Sequence, residues 1–318
     1  MSKPFASTAD TVKPRLEAVR LSDNVYAFVS GIDPTNGLVV GKDCCVVVDT
    51  RATPRLAREL IAAIREITDK PIRYVALTHY HAVRTMGFGA FDQGCEVIAS
   101  AGTRELIMER GQEDFESEAR RFPRLFEGVE EITGLTWPLI TFPERMSLWL
   151  GNTEVQLISA GRAHTAGDTL VWLPREGVLW GGDVTDNHTI PYMGDSYPGS
   201  WPTVLDTVRA IRPKVLVPGR NGVVSEPREI GRVLDETRSY VETITDAAGA
   251  AVAAGEPLKA AAARIRAALT PSFGDWPLFE HCLPFNVVRA VDFVSGIQHP
   301  RIWTAERDAA MWNELQGD

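Results

Sequence analysis

Cysteine is scarce, with four in 318 residues, too few for a disulfide scaffold. Cys44 and Cys45 are adjacent inside an apolar run, where they do not readily pair with each other and read as small buried groups. No apolar run approaches the ~18–20 residues that a membrane-spanning helix needs. No block of basic residues stands out either. The 33 Lys and Arg against 42 Asp and Glu leave a formal charge of −9, which removes the electrostatic footprint of a nucleic-acid binder. The opening MSKPFASTADTVKPRLEAV is polar and lacks the apolar core of a secretory signal. These absences point to a cytoplasmic-type protein with no nucleic-acid or membrane partner. Hydrophobic residues at 44% and charged residues at 24% give a globular composition rather than a disordered one.

The first half alternates short Val-rich runs with helical periodicity. Residues 25–30, 37–41 and 44–50 read as strands split by Gly, Asp, Pro and Asn turns. Thr53-Pro54 reads as an N-cap with Pro at the first helical position. Leu56, Leu60, Ile61, Ile64 and Ile67 then fall on one helical face. Residues 72–78 and 96–99 are further strands, and 103–121 is a charged helix covering one side of the site. A second β-rich block spans 146–150, 155–159, 169–173 and 178–180. A helix at 203–212 and a last strand at 214–217 follow. Beyond Glu226 the chain is helical, with an Ala-rich stretch at 247–268 that Gly255-Glu256-Pro257 should break in two. The expected class is α+β, two mixed sheets sandwiched between helical layers. The expected organisation is an N-terminal segment (1–20), a main domain (21–225) and a helical C-terminal extension (226–318) packed on it.

The chemistry concentrates in three places. Thr78-His79-Tyr80-His81 ends a strand, where residues i and i+2 point the same way and present two imidazoles to one point. Such a pair is half of a transition-metal site, or two unrelated histidines at a strand end. His164 sits in a Gly-bracketed turn, GRAHTAGDT, between two strands. Asp183 ends the VLW strand in Gly181-Gly182-Asp183. Taken one at a time, His164 and Asp183 read as ordinary turn residues. Three His and one Asp, each at a strand–loop junction, can assemble a four-ligand mononuclear site.

At these residues the sequence resembles the metallo-β-lactamase superfamily. The resemblance runs from about Leu21 to Ser225 and includes the VVVDT strand ending near Asp49, THYH, GRAHTAGDT, GGD and PGRN. It implies an αββα sandwich with a groove at its edge that holds one or two metals and a metal-bound hydroxide. It also implies His79, His81 and His164 as ligands of the first metal, and Asp183 as the carboxylate bridging to the second. The family pattern H-x-H-x-D-H would put Asp and His at 83 and 84, where this chain has Val83 and Arg84. After Pro218-Gly219, where the family usually has His, stands Arg220. One carboxylate beside two permanent cations is a poor divalent-metal site, so the resemblance implies one transition metal per chain, zinc first and iron second. Arg84 and Arg220 would pair with Asp183, or bind a substrate carboxylate or a developing oxyanion, or merely neutralise a buried acid.

His188, Tyr192 and Asp195 lie in the loop after Asp183, where the family often lines its groove, and either meet substrate or make local turn contacts. His281 either reaches the groove or is a packed histidine. Asp49 and Asp168 are read as acceptors that orient ligand imidazoles. His299 and the tryptophans read as structural. The reading that results is a metal-dependent hydrolase of a small-molecule ester, lactone, thioester or amide, with Asp183, Arg84 and Arg220 as catalytic groups. Two alternatives stay open: an iron oxygenase of the persulfide-dioxygenase type built on His79, His164 and Asp183, and a binding protein with a relic metal site. The C-terminal helices either cap the groove or pack a second copy of the chain as a homodimer.

Overall fold

The computed structural model describes residues 4–316. A seven-stranded sheet is laid down in chain order. β1 (Glu17–Arg20), β2 (Val25–Val29), β3 (Asn36–Val40) and β4 (Cys45–Val48) run antiparallel. β5 (Ile72–Ala76), β6 (Glu96–Ser100) and β7 (Ile140–Phe142) continue in parallel. Parallel neighbours need crossovers, and α1 (Pro54–Arg65), the short α2 (Ala82–Thr85) and α3 (Ala101–Arg121) lie in these connections. α1 starts as its sequence predicts: Thr53 Oγ1 accepts from Leu56 N at 3.3 Å, and Pro54 opens the helix.

The second sheet has the order β12-β11-β10-β9-β8. β8 (Arg145–Leu150), β9 (Thr153–Gly161), β10 (Asp168–Leu173) and β11 (Val178–Gly182) form an antiparallel meander. α4 (Trp201–Ile211) then returns the chain, and β12 (Val215–Pro218) pairs in parallel with β11. α5 (Pro227–Ala253), α6 (Leu258–Phe273), α7 (Phe279–Val294) and α8 (Ala305–Gln316) complete the chain. The Ala-rich stretch breaks at the expected Gly255, which has φ +65°.

Strand alternation explains the layering. Val46 and Val48 point into the core between the sheets with Val39, Ala76, Val171 and Trp180. Cys45 and Val47 point the other way, into a core with Leu60 and Ile64 of α1 and Leu106 and Ile107 of α3. The outer face of the second sheet is covered by α4 to α7. The result is the expected αββα sandwich. Gly37 is required by this packing, because a Cβ there would lie 2.6 Å from the Trp180 indole. β1 and β7 are absent from the reading by apolar runs: one is four mostly exposed residues and the other only three. All four cysteines are free; Cys45 is buried and its neighbour Cys44 only partly so. Among the described residues no helix is long and apolar enough to cross a membrane.

Candidate metal centre

β5 delivers two of the imidazoles. His81 still has extended backbone (φ −56°, ψ 140°) before α2 begins, so His79 and His81 face one point. His164 comes from the β9–β10 turn of the other sheet. The three ring centroids lie 4.6–4.8 Å apart, and all three rings are buried.

Each ring is held by a partner on its far side, which assigns the tautomer. Thr78 Oγ1 donates to Asp49 Oδ2 at 2.8 Å and therefore accepts from His79 Nδ1 at 3.1 Å. That leaves the His79 Nε2 lone pair inward, buried and without a partner. His164 Nδ1 donates to the Tyr192 carbonyl at 2.9 Å, leaving its Nε2 inward. His81 Nε2 donates to Asp195 Oδ2 at 3.3 Å, leaving its Nδ1 inward. His81 Nδ1 and His164 Nε2 then meet at 3.0 Å. Two lone pairs at that distance need a proton or a cation between them. Three convergent imidazole nitrogens, one of them orphaned, fit a transition-metal ion.

The electrostatics follow from burial and the surrounding acids. Burial pushes His79 well below the ordinary imidazole range and His164 down to about 3. Burial alone would also lower His81, but Asp114 and the hydrogen bond to Asp195 raise it to about 9. In the metal-free chain His81 therefore carries the shared proton. Asp195 is held at about 2 against its own burial, by His81 and then Arg110.

Asp183 ends β11 and sits 3.8 Å from both His79 Nε2 and His164 Nε2. Arg84 Nη2 pairs with Asp183 Oδ1, and Arg220 Nη2 lies 3.8 Å from Oδ2. Burial would raise this carboxyl, but Arg84 and Arg220 hold it well below the ordinary carboxylate range. Gly219 makes room for the pair, since a Cβ there would collide with Asp183 Oδ1 and Arg84 Nη2.

The remaining residues sort by where they point. Arg84 spends its guanidinium on four partners: Asp183, Asp49 at 3.1 Å, and the carbonyls of Thr35 at 3.0 Å and Gly219 at 2.8 Å. It does not line the cavity over the imidazoles, whereas Arg220, Asp183, Tyr192 and His281 do. Of the two arginines expected at the second-metal position, Arg220 faces the cavity and Arg84 does not; Arg84 Nε is the one nitrogen of its guanidinium without a partner. Asp49 reaches His79 only through Thr78. Asp168 accepts from Thr165 N and Oγ1, which shapes the turn carrying His164 without touching its ring. His188 is exposed, with φ 47°, and rests on Trp276 outside the cavity. Sequence reasoning missed a row of buried charges on α3. Asp114 accepts from Ala82 N at 2.8 Å and Glu118 from Val83 N at 2.9 Å. Arg110 bonds Asp195 at 3.0 Å, and Arg121 lines the cavity.

Residues 31–220 match the family model of the metallo-β-lactamase superfamily. The metallo-β-lactamase type 2 of Bacillus sp. (strain 170) is 28% identical over 197 residues, 60% of this chain and 68% of that protein. The linear primary-alkylsulfatase of Pseudomonas sp. (strain ATCC 19151) is 24% identical over 235 residues, 63% of this chain and 44% of that protein. Among solved structures, the stereoselective inverting sec-alkylsulfatase of Pseudomonas sp. superposes with a TM-score of 0.66 at 16% identity, over 87% of this chain and 50% of that one. The metallo-β-lactamase from Pontibacter korlensis gives 0.58 at 22% identity, over 72% and 99%. With its sandwich, its buried histidine trio and a family match across more than half its length, the chain belongs to the metallo-β-lactamase superfamily of hydrolases.

Proposed function

We propose that the protein is a mononuclear metal-dependent hydrolase of a small-molecule ester, lactone, thioester or amide, the esters including the sulfate esters for which its alkylsulfatase relative is named. The observation that carries this reading is the set of three inward imidazole nitrogens, with only Asp183 beside them and that carboxylate already engaged by arginines. His79, His81 and His164 would hold the metal, zinc first by ligand type and iron second. A metal there supplies Lewis-acid polarisation and a lowered water pKa. Asp183 Oδ2, the oxygen turned toward the imidazoles, accepts a proton from the attacking water or serves as a fourth donor. Arg220 stands beside it in the cavity and meets negative charge developing on the substrate. Arg84 acts through Asp183, by fixing the position and ionised state of that carboxylate.

Loading the site must displace the proton shared by His81 and His164. Because His81 sits at about 9 in the metal-free chain, metal binding at pH 7 should release close to one proton per chain. Affinity should climb with pH until His81 is already deprotonated. Titration calorimetry in two buffers of different ionisation enthalpy measures the release. A value near zero would show that His81 does not lose its proton to a ligand role.

The functional reading is tested on chelator-treated and reloaded protein with 4-nitrophenyl acetate, 4-nitrophenyl sulfate, a γ-lactone, an acyl thioester and 4-nitroacetanilide as the amide. Turnover of at least one, abolished by chelation and restored by one metal equivalent, is expected. Turnover that ignores the metal, or none on any of the five, overturns the proposal.

A further inference from the structure

The far side of the His81 ring meets charge, where the other two imidazoles meet neutral groups. His79 Nδ1 donates to Thr78 Oγ1 and His164 Nδ1 to the Tyr192 carbonyl. His81 Nε2 donates to Asp195 Oδ2 at 3.3 Å, a carboxylate on the loop between β11 and α4. Asp114 and Glu118, the other carboxylates around this ring, are committed to the backbone N–H groups of Ala82 and Val83 at the start of α2. Asp195 is held by side chains instead. Its Oδ2 faces His81, and its Oδ1 accepts from Arg110 Nη1 at 3.0 Å.

Arg110 is 2% exposed, and its guanidinium is pinned from the outer side. Nε and Nη2 donate to Glu109 Oε2 at 3.3 and 3.2 Å. Nη2 also donates to the Pro300 carbonyl at 3.0 Å, and His299 Nε2 lies 2.8 Å from it. The group is planar, so pinning two of its nitrogens fixes the direction of the third. Nη1 is the prong left pointing inward, at Asp195. Without it, Oδ1 of a side chain only 4% exposed would be a buried acceptor with no donor, which favours rotation of the carboxylate away from His81. A ligating imidazole depends on the acceptor at its other nitrogen for its ring orientation and tautomer. Thr78 and a backbone carbonyl are fixed by their own strand or loop, whereas Asp195 is fixed from another element, α3.

We propose that Arg110 is a positioning residue of the metal centre: by holding Asp195 against His81 Nε2, it keeps His81 Nδ1 turned toward His79 and His164 and sets the affinity for the metal. Through Pro300 it also ties the segment between α7 and α8 to α3, so the C-terminal extension supports the centre. The inference rests on the ligand role given above to the three histidines, and its test needs no turnover. Cobalt(II) is titrated into the metal-stripped full chain at one pH and followed by its visible ligand-field absorption. Arg110→Gln should bind about 10–100-fold more weakly, the range for loss of a group that orients a ligand. Arg110→Lys should recover part of that loss. Asp195→Asn should bind more weakly too. Adding Arg110→Gln to Asp195→Asn should cost little more, because the two changes cut one chain of contacts and are not additive.

Affinity of Arg110→Gln equal to that of the unaltered chain overturns the proposal, even where its melting temperature falls, since that pattern marks a structural role alone. Losses that multiply in the double variant overturn it as well. If Arg110→Gln does not fold, Asp195→Asn decides, because the proposed route to His81 runs through it: unchanged affinity overturns the proposal. An unaltered chain that takes up no cobalt overturns the metal centre and this inference together, whereas equal affinities across the variants overturn this inference alone.

Discussion

Replacing His164 with alanine should strip the metal and with it the activity. The ring supplies one of three inward nitrogens, it is fully buried, and its Nδ1 is already spent on the Tyr192 carbonyl. The cavity left behind offers water in place of a fixed imidazole. The loss should exceed the 10–100-fold that typically follows removal of a group that only orients a ligand. Thr78→Val provides that comparison. Its hydroxyl links Asp49 to His79 Nδ1, so its removal should weaken metal binding within the ~10–100-fold range while leaving three ligands in place. Metal analysis after gel filtration, together with a metal-binding titration, ranks the two variants. If His164→Ala retains metal as well as Thr78→Val does, the site lies elsewhere.

Arg84→Ala should be the most destabilising single change at the site. The guanidinium is 1% exposed and bonds two carboxylates and two carbonyls. Its removal leaves Asp183 with only Arg220 at 3.8 Å as a cationic partner and strands Asp49 beside Thr78. Breaking one side of a buried ion pair costs about 3–5 kcal/mol. In a chain of this size that lowers the melting temperature by about 5–8 °C. Activity should fall as well, because Asp183 would lose the pairing that fixes its charge and position. Arg84→Lys should recover part of the stability, since an ammonium replaces the charge but not the four-way fork. A melting curve for Arg84→Ala that overlays the unaltered protein would contradict the role assigned to this residue.

The sandwich was legible because each sheet is buried on two faces. Strands such as CVVV and VLW then read as short apolar runs, and the helix over 54–65 carries its own start signal. The edge strands were not legible for the opposite reason: Glu17–Arg20 has no buried face to leave a pattern. At the site, the ligand set stands out as histidines at strand ends. The direction of Arg84 does not, because a residue number cannot tell a guanidinium that enters the cavity from one that is wrapped by backbone carbonyls. The buried charges of α3 left a signal that went unused. Arg110, Asp114, Glu118 and Arg121 recur at spacings of four, four and three, which places them on one helical face. In a helix read only as a charged cover over one side of the site, the row was not singled out. Packed against α2 and α8, it becomes the buried wall beside His81.

The central claim is that this chain holds one metal where its fold has room for two, with arginines at the second position. Elemental analysis of the reloaded, gel-filtered protein measures it directly. The variant Val83→Asp, Arg84→His, Arg220→His serves as the internal reference, because it rebuilds the H-x-H-x-D-H run and supplies a histidine after Pro218-Gly219. The account predicts one equivalent per chain for the natural sequence and two for the folded variant. Two tightly held equivalents in the natural sequence, or one in both proteins, would contradict it.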